Sequence, residues 1–293
     1  MNGLLVVNKP TGMTSHDVVN TVRRLAGMRR VGHAGTLDPM ATGVLVVVVG
    51  AATRLVQFID GCDKTYRATL CLGETTTTYD ADGDLVERRP VTVSQAEVEA
   101  ALAQFQGDIL QIPPMHSAVK IKGQKLYKLA HRGKEVEREP RPVTIHRLDV
   151  LEWTLPDVTI EVVCSAGTYI RSLAHDLGQA LGCGAHLTSL IRTAAGAFGL
   201  KDSRTLEELR ALADAGRLAE ALLPPQTALA GLPVITLTPE QERAVGYGQT
   251  FLLDGPSDAA MVQAHDAAGR LVAVLLPVEP GVWRPKLVFS AAE

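Results

Sequence analysis

The run Val44-Leu45-Val46-Val47-Val48-Val49 leaves little choice of placement, because so unbroken an apolar stretch reads as a buried strand. It is fed by Gly32-His33-Ala34-Gly35-Thr36-Leu37-Asp38-Pro39-Met40-Ala41-Thr42-Gly43, a tight loop with one carboxylate in it. Glycine at 32, 35 and 43 permits positive φ and close approach of a ligand. Pro39 fixes its own φ and restricts Asp38 to extended geometry. A carboxylate held rigidly at the mouth of a buried strand is a candidate reactive group. The plain alternative for an isolated Asp-Pro pair is a structural Asx-turn.

Further strands are expected at Leu4 to Val7, Tyr66 to Leu72 and Val158 to Cys164, the second of them closest to alternation. Helices sit between them. Ser94-Gln95-Ala96-Glu97 is a capping box, followed by Val98, Ala101, Leu102 and Phe105 on one face, with Gly107 as the stop. Ile170, Leu173, Leu177 and Leu181 form a second apolar stripe, and Thr205-Leu206-Glu207-Glu208 caps a third helix ending at Gly216. Strands and helices mixed without a strict βαβ rhythm point to α+β. A length of 293 residues favours two domains. Leu223-Pro224-Pro225 and Gly231-Leu232-Pro233 place the boundary near residue 230. Beyond it are expected a Pro-capped helix from Thr238 and short strands at Leu271 to Leu276 and Lys286 to Phe289.

The formal net charge of −3 speaks against a nucleic-acid binder only if charge is spread evenly. It is not. Residues 116 to 147 carry Lys120, Lys122, Lys125, Lys128, Arg132, Lys134, Arg138, Arg141 and Arg147 against Glu135, Glu137 and Glu139, a local balance of +6. With His116, Tyr127 and His131 interleaved after Pro113-Pro114, this insertion suits an arm along an RNA backbone. A solvated charged face is the competing reading. Cys62, Cys71, Cys164 and Cys183 show no Cys-x-x-Cys or zinc-finger spacing and are expected as reduced thiols of a cytosolic protein. No signal peptide, membrane span, phosphate-binding glycine loop or His-Glu-x-x-His motif is present, so a soluble, cytoplasmic protein with no cofactor and no metal is expected.

Gly-His-Ala-Gly-Thr-Leu-Asp-Pro-Met-Ala-Thr-Gly-Val-Leu resembles the catalytic-aspartate loop of the bacterial tRNA pseudouridine synthase B family. Other segments resemble that family in the same order: Asn8-Lys9-Pro10-Thr11-Gly12-Met13-Thr14-Ser15, Lys64-Thr65-Tyr66-Arg67-Ala68, and Thr77-Thr78-Tyr79-Asp80-Ala81-Asp82-Gly83. Gln111-Ile112-Pro113-Pro114-Met115-His116-Ser117 follows, then Cys164-Ser165-Ala166-Gly167-Thr168-Tyr169-Ile170-Arg171 and Gly184-Ala185-His186-Leu187-Thr188-Ser189-Leu190-Ile191-Arg192-Thr193.

The resemblance implies a mixed, largely antiparallel catalytic domain over 1–230 and a small PUA-like RNA-binding domain over 231–293. It implies isomerisation of a uridine in the tRNA T-loop, at position 55, by base flipping. Asp38 would be the nucleophile, with the sugar or the base as its target left open, and Arg171 its charge partner. Tyr66 would stack on the base and assist removal of the C5 proton, Leu190 would lie beneath the base, and His33 would meet the displaced nucleotide. Lys9, Tyr169 and Asp80 would support the site. Lys120, Lys122, Lys125, Lys128 and Arg132 would run along the T-arm, with tRNA the partner of a chain expected to act as a monomer away from membranes. The rival from another class is a catalytically inert RNA-binding protein on the same scaffold, which tritium release from C5-labelled uridine would separate.

Overall fold

The computed structural model describes residues 1–289 apart from 118, 122, 131, 135, 255 and 257, with backbone alone for 120, 125, 127 and 128. In chain order the strands are β1 (Gly3–Lys9), β2 (Val31–Ala34), β3 (Thr42–Val49), β4 (Lys64–Leu72), β5 (Glu74–Thr76), β6 (Leu85–Arg88) and β7 (Gly107–Gln111). They continue as β8 (Lys120–Ile121), β9 (Gln124–Lys125), β10 (Arg141–Thr154), β11 (Asp157–Cys164), β12 (Ala185–Ala195) and β13 (Phe198–Gly199). The main sheet runs β1-β3-β12-β4-β11-β10-β7, with β2 also on β3 and β13 on β12. Its pairings are antiparallel except β12 with β3. The α+β, largely antiparallel expectation is borne out.

The apolar run of residues 44 to 49 explains the layering. In β1 and β3, Leu5, Val7, Leu45, Val47 and Val49 point into one core, and Leu4, Val6, Val44, Val46 and Val48 into another. Period-2 alternation sends neighbours to opposite faces, so a strand covered on both sides must be apolar throughout. Helices α1 (Ser15–Ala26), α3 (Gln95–Ala103), α5 (Ile170–Ala180) and α6 (Leu206–Asp214) contribute to the first core. Helix α2 (Val56–Asp60), with the 3-10 turn before it, lies in the second. Helix α4 (Leu126–Ala130) lies in the basic insertion, and α7 (Pro239–Gly246) in the C-terminal part. The caps read at Ser94 and Thr205 form as capping boxes, and the Pro-capped helix expected from Thr238 forms with a capping box as well.

Residues beyond 233 form a second sheet, in the order β14-β16-β17-β18-β15: β14 (Val234–Thr236), β15 (Phe251–Leu252), β16 (Val262–His265), β17 (Leu271–Glu279) and β18 (Val282–Val288). It has its own small core around Trp283, Val262 and Leu275. It also shares the second core, where Val274 and Phe289 meet the β1–β3 face. Arg54 Nη1 donates to the Val288 carbonyl at 2.5 Å, and its guanidinium lies 5.6 Å from the Phe289 ring centre.

Three local readings change. The segment expected as an unbroken loop from Gly32 contains β2, whose Gly32 and His33 pair with Val48 and Val47. Helix α3 ends at Ala103, and Gly107, at φ +94°, opens β7 instead of stopping the helix. Arg141 and Arg147, counted with the basic arm, lie in β10 within the main sheet, where Arg147 pairs with Asp149 and Glu161. The excursion is therefore 112–140, between the adjacent strands β7 and β10. Among the described residues no helix is long and apolar enough to cross a membrane.

Candidate active site

The Asp38 turn is held from every side. At the start of α1, Ser15 Oγ donates to the Leu37 carbonyl at 3.1 Å and accepts from the Leu37 amide at 2.8 Å. From the end of β1, Lys9 Nζ donates to the Pro39 carbonyl at 3.2 Å, while also donating to the carbonyls of Pro10 and Met13. Asp60, closing α2, accepts the Gly35 amide at 2.6 Å. Arg192 on β12 donates through Nη2 to the Gly35 carbonyl (2.9 Å) and through Nε to that of Val44 (2.7 Å). The last contact explains two glycines. A Cβ on Gly43, at φ +98°, would sit 2.3 Å from the Arg192 carbonyl oxygen, and one on Gly35, at φ +71°, would sit 3.2 Å from Arg192 Nη1.

Against this turn stands Arg171, in the first turn of α5 and buried. Its Nη2 donates to Asp38 Oδ1 at 3.1 Å, and its Nε lies 3.0 Å from Oδ2 as an ion-pair contact. Its Nη1 lies 3.2 Å from Asp80 Oδ2 and donates to the Thr78 carbonyl, and Nη2 also reaches the His116 carbonyl at 2.8 Å. One guanidinium thus joins the aspartate turn, the Thr77–Gly83 turn and the root of the insertion. Asp80 is buried and fixed by Thr78 Oγ1 (2.5 Å) and the Asp82 amide (3.1 Å). The Asp38 side chain keeps one third of its surface open (33%), against 4% for Arg171.

The electrostatics follow from this burial. Burial pushes the Asp38 carboxyl above its usual range; Arg171 and Lys9 oppose that, and Asp80 adds to it. Burial pulls the Lys9 ammonium down to about 8, against the attraction of Asp38. Burial raises the Tyr66 phenol, with Arg192 opposing the shift. Tyr66 stands opposite Arg192, and Leu190 opposite Ala68, in the β4–β12 ladder. Spacing by two puts Tyr66 and Leu190 on one face, and both belong to the first core.

Tyr169 precedes α5, with Gln111 gripping both its amide (2.8 Å) and its carbonyl (3.0 Å), and burial raises its phenol against the opposing contact from Ser117. His33 lies on β2 with Nδ1 buried and without a partner; burial lowers its pKa, while the charge of Asp60 opposes the shift and that of Arg192 adds to it. Of the proposed arm, Arg132 is exposed, Lys120, Lys125 and Lys128 have described backbone only, and Lys122 and His131 lie outside the described residues. Sequence reasoning did not single out Arg192 or Asp60. Arg192 lies in the segment 184 to 193 that resembles the family, but carries no local sign of where its side chain goes.

Comparison with known proteins gives the family. Residues 23–170 match the model of the TruB family pseudouridylate synthase N-terminal domain, and residues 171–230 that of the tRNA pseudouridylate synthase B C-terminal domain. The chain belongs to the TruB family of pseudouridine synthases. It is 44% identical to the tRNA pseudouridine synthase B of Dehalococcoides mccartyi over 99% of this chain and 97% of that protein. It is 46% identical to the protein of that name from Thermobifida fusca, over 99% of each. Among solved structures it resembles an H/ACA RNP bound to a substrate RNA containing 2'-deoxyuridine (TM-score 0.74, 27% identity, 99% of this chain and 85% of that one). It also resembles a Cbf5-Nop10-Gar1 complex (TM-score 0.73, 30% identity, 95% and 79%). The two TruB segments meet between Ile170 and Arg171, yet β11 before that point and β12 after it both pair with β4.

Proposed function

We propose that this TruB-family chain converts a tRNA uridine to pseudouridine, at position 55 of the T-loop, acting on a base flipped out of the stack. The observation that carries this reading is the Asp38–Arg171 pair, in which a rigid turn holds a carboxylate still part-open to solvent against a buried guanidinium. The reaction breaks the N1–C1′ bond, turns the uracil over, joins C5 to C1′, and moves a proton from C5 to N1. It needs no redox partner and no external group. Asp38 acts as the nucleophile, its reactivity heightened by partial desolvation and its direction set by Arg171. Tyr66 stacks on the base, Leu190 supports it, and Lys9 and Asp80 fix the two turns. His33 meets the displaced nucleotide, Tyr169 backs the aspartate, and residues 231–293 form an additional RNA-contacting, PUA-like unit beside the 1–230 catalytic domain.

The test is conversion of an unmodified tRNA transcript in EDTA, read by tritium release from C5-labelled uridine and by mapping the product. One pseudouridine in the T-loop is expected. Release at a different site, or a metal requirement beyond RNA folding, would overturn the assignment.

For the insertion, each neutralised phosphate adds roughly 0.7 to 0.9 to the salt slope of log affinity. Replacing Lys120, Lys122 and Lys125 together by Ala is expected to weaken tRNA binding and flatten that slope by about two to three units. The rate on saturating tRNA changes less. An unchanged slope would mean that these cations only solvate a loop.

A further inference from the structure

We propose that Cys71, Glu74 and His186 form a binding site for a zinc-class divalent cation, remote in role from the Asp38 centre. The thiol, carboxylate and imidazole ligand atoms all lie within 4.8 Å of one another. A tetrahedral zinc ion with bonds of about 2.0–2.3 Å holds its ligands roughly 3.6 Å apart, so the set stands within about 1 Å of the spacing an ion would impose.

The placement follows from the sheet. Cys71 near the end of β4 and His186 near the start of β12 are direct partners in the antiparallel ladder, so their side chains share a face. Gly73, at φ +88°, turns the chain so that Glu74 opens β5 above them, and its amide bonds the Gly184 carbonyl at 2.8 Å.

One nitrogen of the imidazole is held and the other is available. His186 is buried, with Nδ1 3.2 Å from the Glu74 carbonyl oxygen. With the proton on Nδ1, donated to that carbonyl, the Nε2 lone pair is left free; among the described residues it has no hydrogen-bond partner. A metal-bound histidine is fixed in this way, by its second nitrogen holding a backbone carbonyl.

Access and charge complete the picture. Cys71 and Glu74 are half-buried, which leaves an approach from solvent and a position for water. Asp157 on β11 stands opposite Cys71 on its other flank and is exposed, adding negative potential at the mouth. Arg88 holds Glu74 Oε1 at 2.8 Å, but its side chain is 71% exposed and Oε2 remains for an ion. One thiolate, one imidazole and one carboxylate make a borderline donor set that favours zinc, cobalt or cadmium over magnesium or calcium. Bound there, the ion staples the β4–β5 corner to β12, next to the turn that presents Asp80 to Arg171.

The test uses the full chain, stripped with chelator, with cobalt(II) as the optical probe and zinc for affinity and melting. One equivalent of cobalt is expected to give a thiolate charge-transfer band with tetrahedral d–d absorption. Zinc is expected to bind with a micromolar or tighter Kd and to raise the melting temperature by about 5 °C at a hundredfold excess over Kd. Cys71→Ser removes the charge-transfer band, and Cys71→Ser and Glu74→Gln each weaken zinc at least tenfold. Both substitutions are half-buried and near-isosteric, so circular dichroism and metal-free melting establish that they fold. No band, zinc binding only at millimolar concentration, or undiminished affinity in both variants overturns the site. The readout is binding, so it stands apart from any result on uridine isomerisation.

Discussion

Asp38→Ala is expected to lower pseudouridine formation by on the order of 10⁴-fold or more while tRNA affinity stays within a few fold. The asymmetry comes from what the residue touches. Its carboxylate faces Arg171, and the turn around it is held by Ser15, Lys9, Asp60 and Arg192 through backbone atoms of residues 35 to 44, none of which the substitution removes. Arg171 keeps Asp80 as a partner, so no buried cation is stranded. Filter binding of tRNA, the melting temperature and single-turnover tritium release check the three parts separately. Loss of binding together with activity would make Asp38 a structural residue and sink its assignment as nucleophile.

Arg171→Ala is expected to damage both catalysis and stability. It strands the Asp38 and Asp80 carboxylates beside each other without their shared cation. Breaking a buried pair costs about 3–5 kcal/mol, and the low end applies here because Asp38 is partly open to water. Arg171→Lys keeps the charge but cannot form the fork to Asp38 while also reaching Asp80, Thr78 and His116. It is expected to be more stable than the Ala variant but slower than wild type by about a hundredfold. The pH profile carries a further sign. Burial raises the Asp38 pKa, and Arg171 works against that rise. Since the ionised form reacts, activity falls as pH drops through that pKa, and removing Arg171 moves the acid limb to higher pH. A kcat profile for Arg171→Gln with its acid limb unmoved or shifted down would contradict the pairing.

The parts of the fold legible in the sequence were those with local causes. Val44–Val49 could be placed because it is apolar throughout, α3 and α6 because a capping side chain sits three residues before its reciprocal partner, and α7 because Pro239 follows Thr238 at its start. Strand β2 was hidden because Val31-Gly32-His33-Ala34 is short and contains a glycine; only its pairing to β3 makes it a strand. Arg141 and Arg147 looked like arm residues because charge is read along the chain, whereas their place in β10 is set by β7 and β11. Asp38 and Arg171 were found through motif wording. Arg192, Asp60 and the Cys71–His186 pairing are products of tertiary register, which leaves no periodic trace.

The position of β12 sets an order of events during synthesis. Strands β1, β2 and β3 can pair with one another early, and β4, β11, β10 and β7 somewhat later, but β12 alone joins the two groups. A nascent chain that has emerged only as far as Cys164 therefore carries two half-sheets, with the edge of β4 and the Thr42-Gly43 end of β3 awaiting a strand not yet made. Such edges are where unfinished chains stick to one another. The joint with β3 is short, Ile191 opposite Thr42 and Arg192 opposite Gly43, so closure hinges on a side chain at residue 192 reaching back to carbonyls at 35 and 44. Refolding from denaturant should share this bottleneck, with recovery of the Asp38 turn coming late and together with the centre of the sheet.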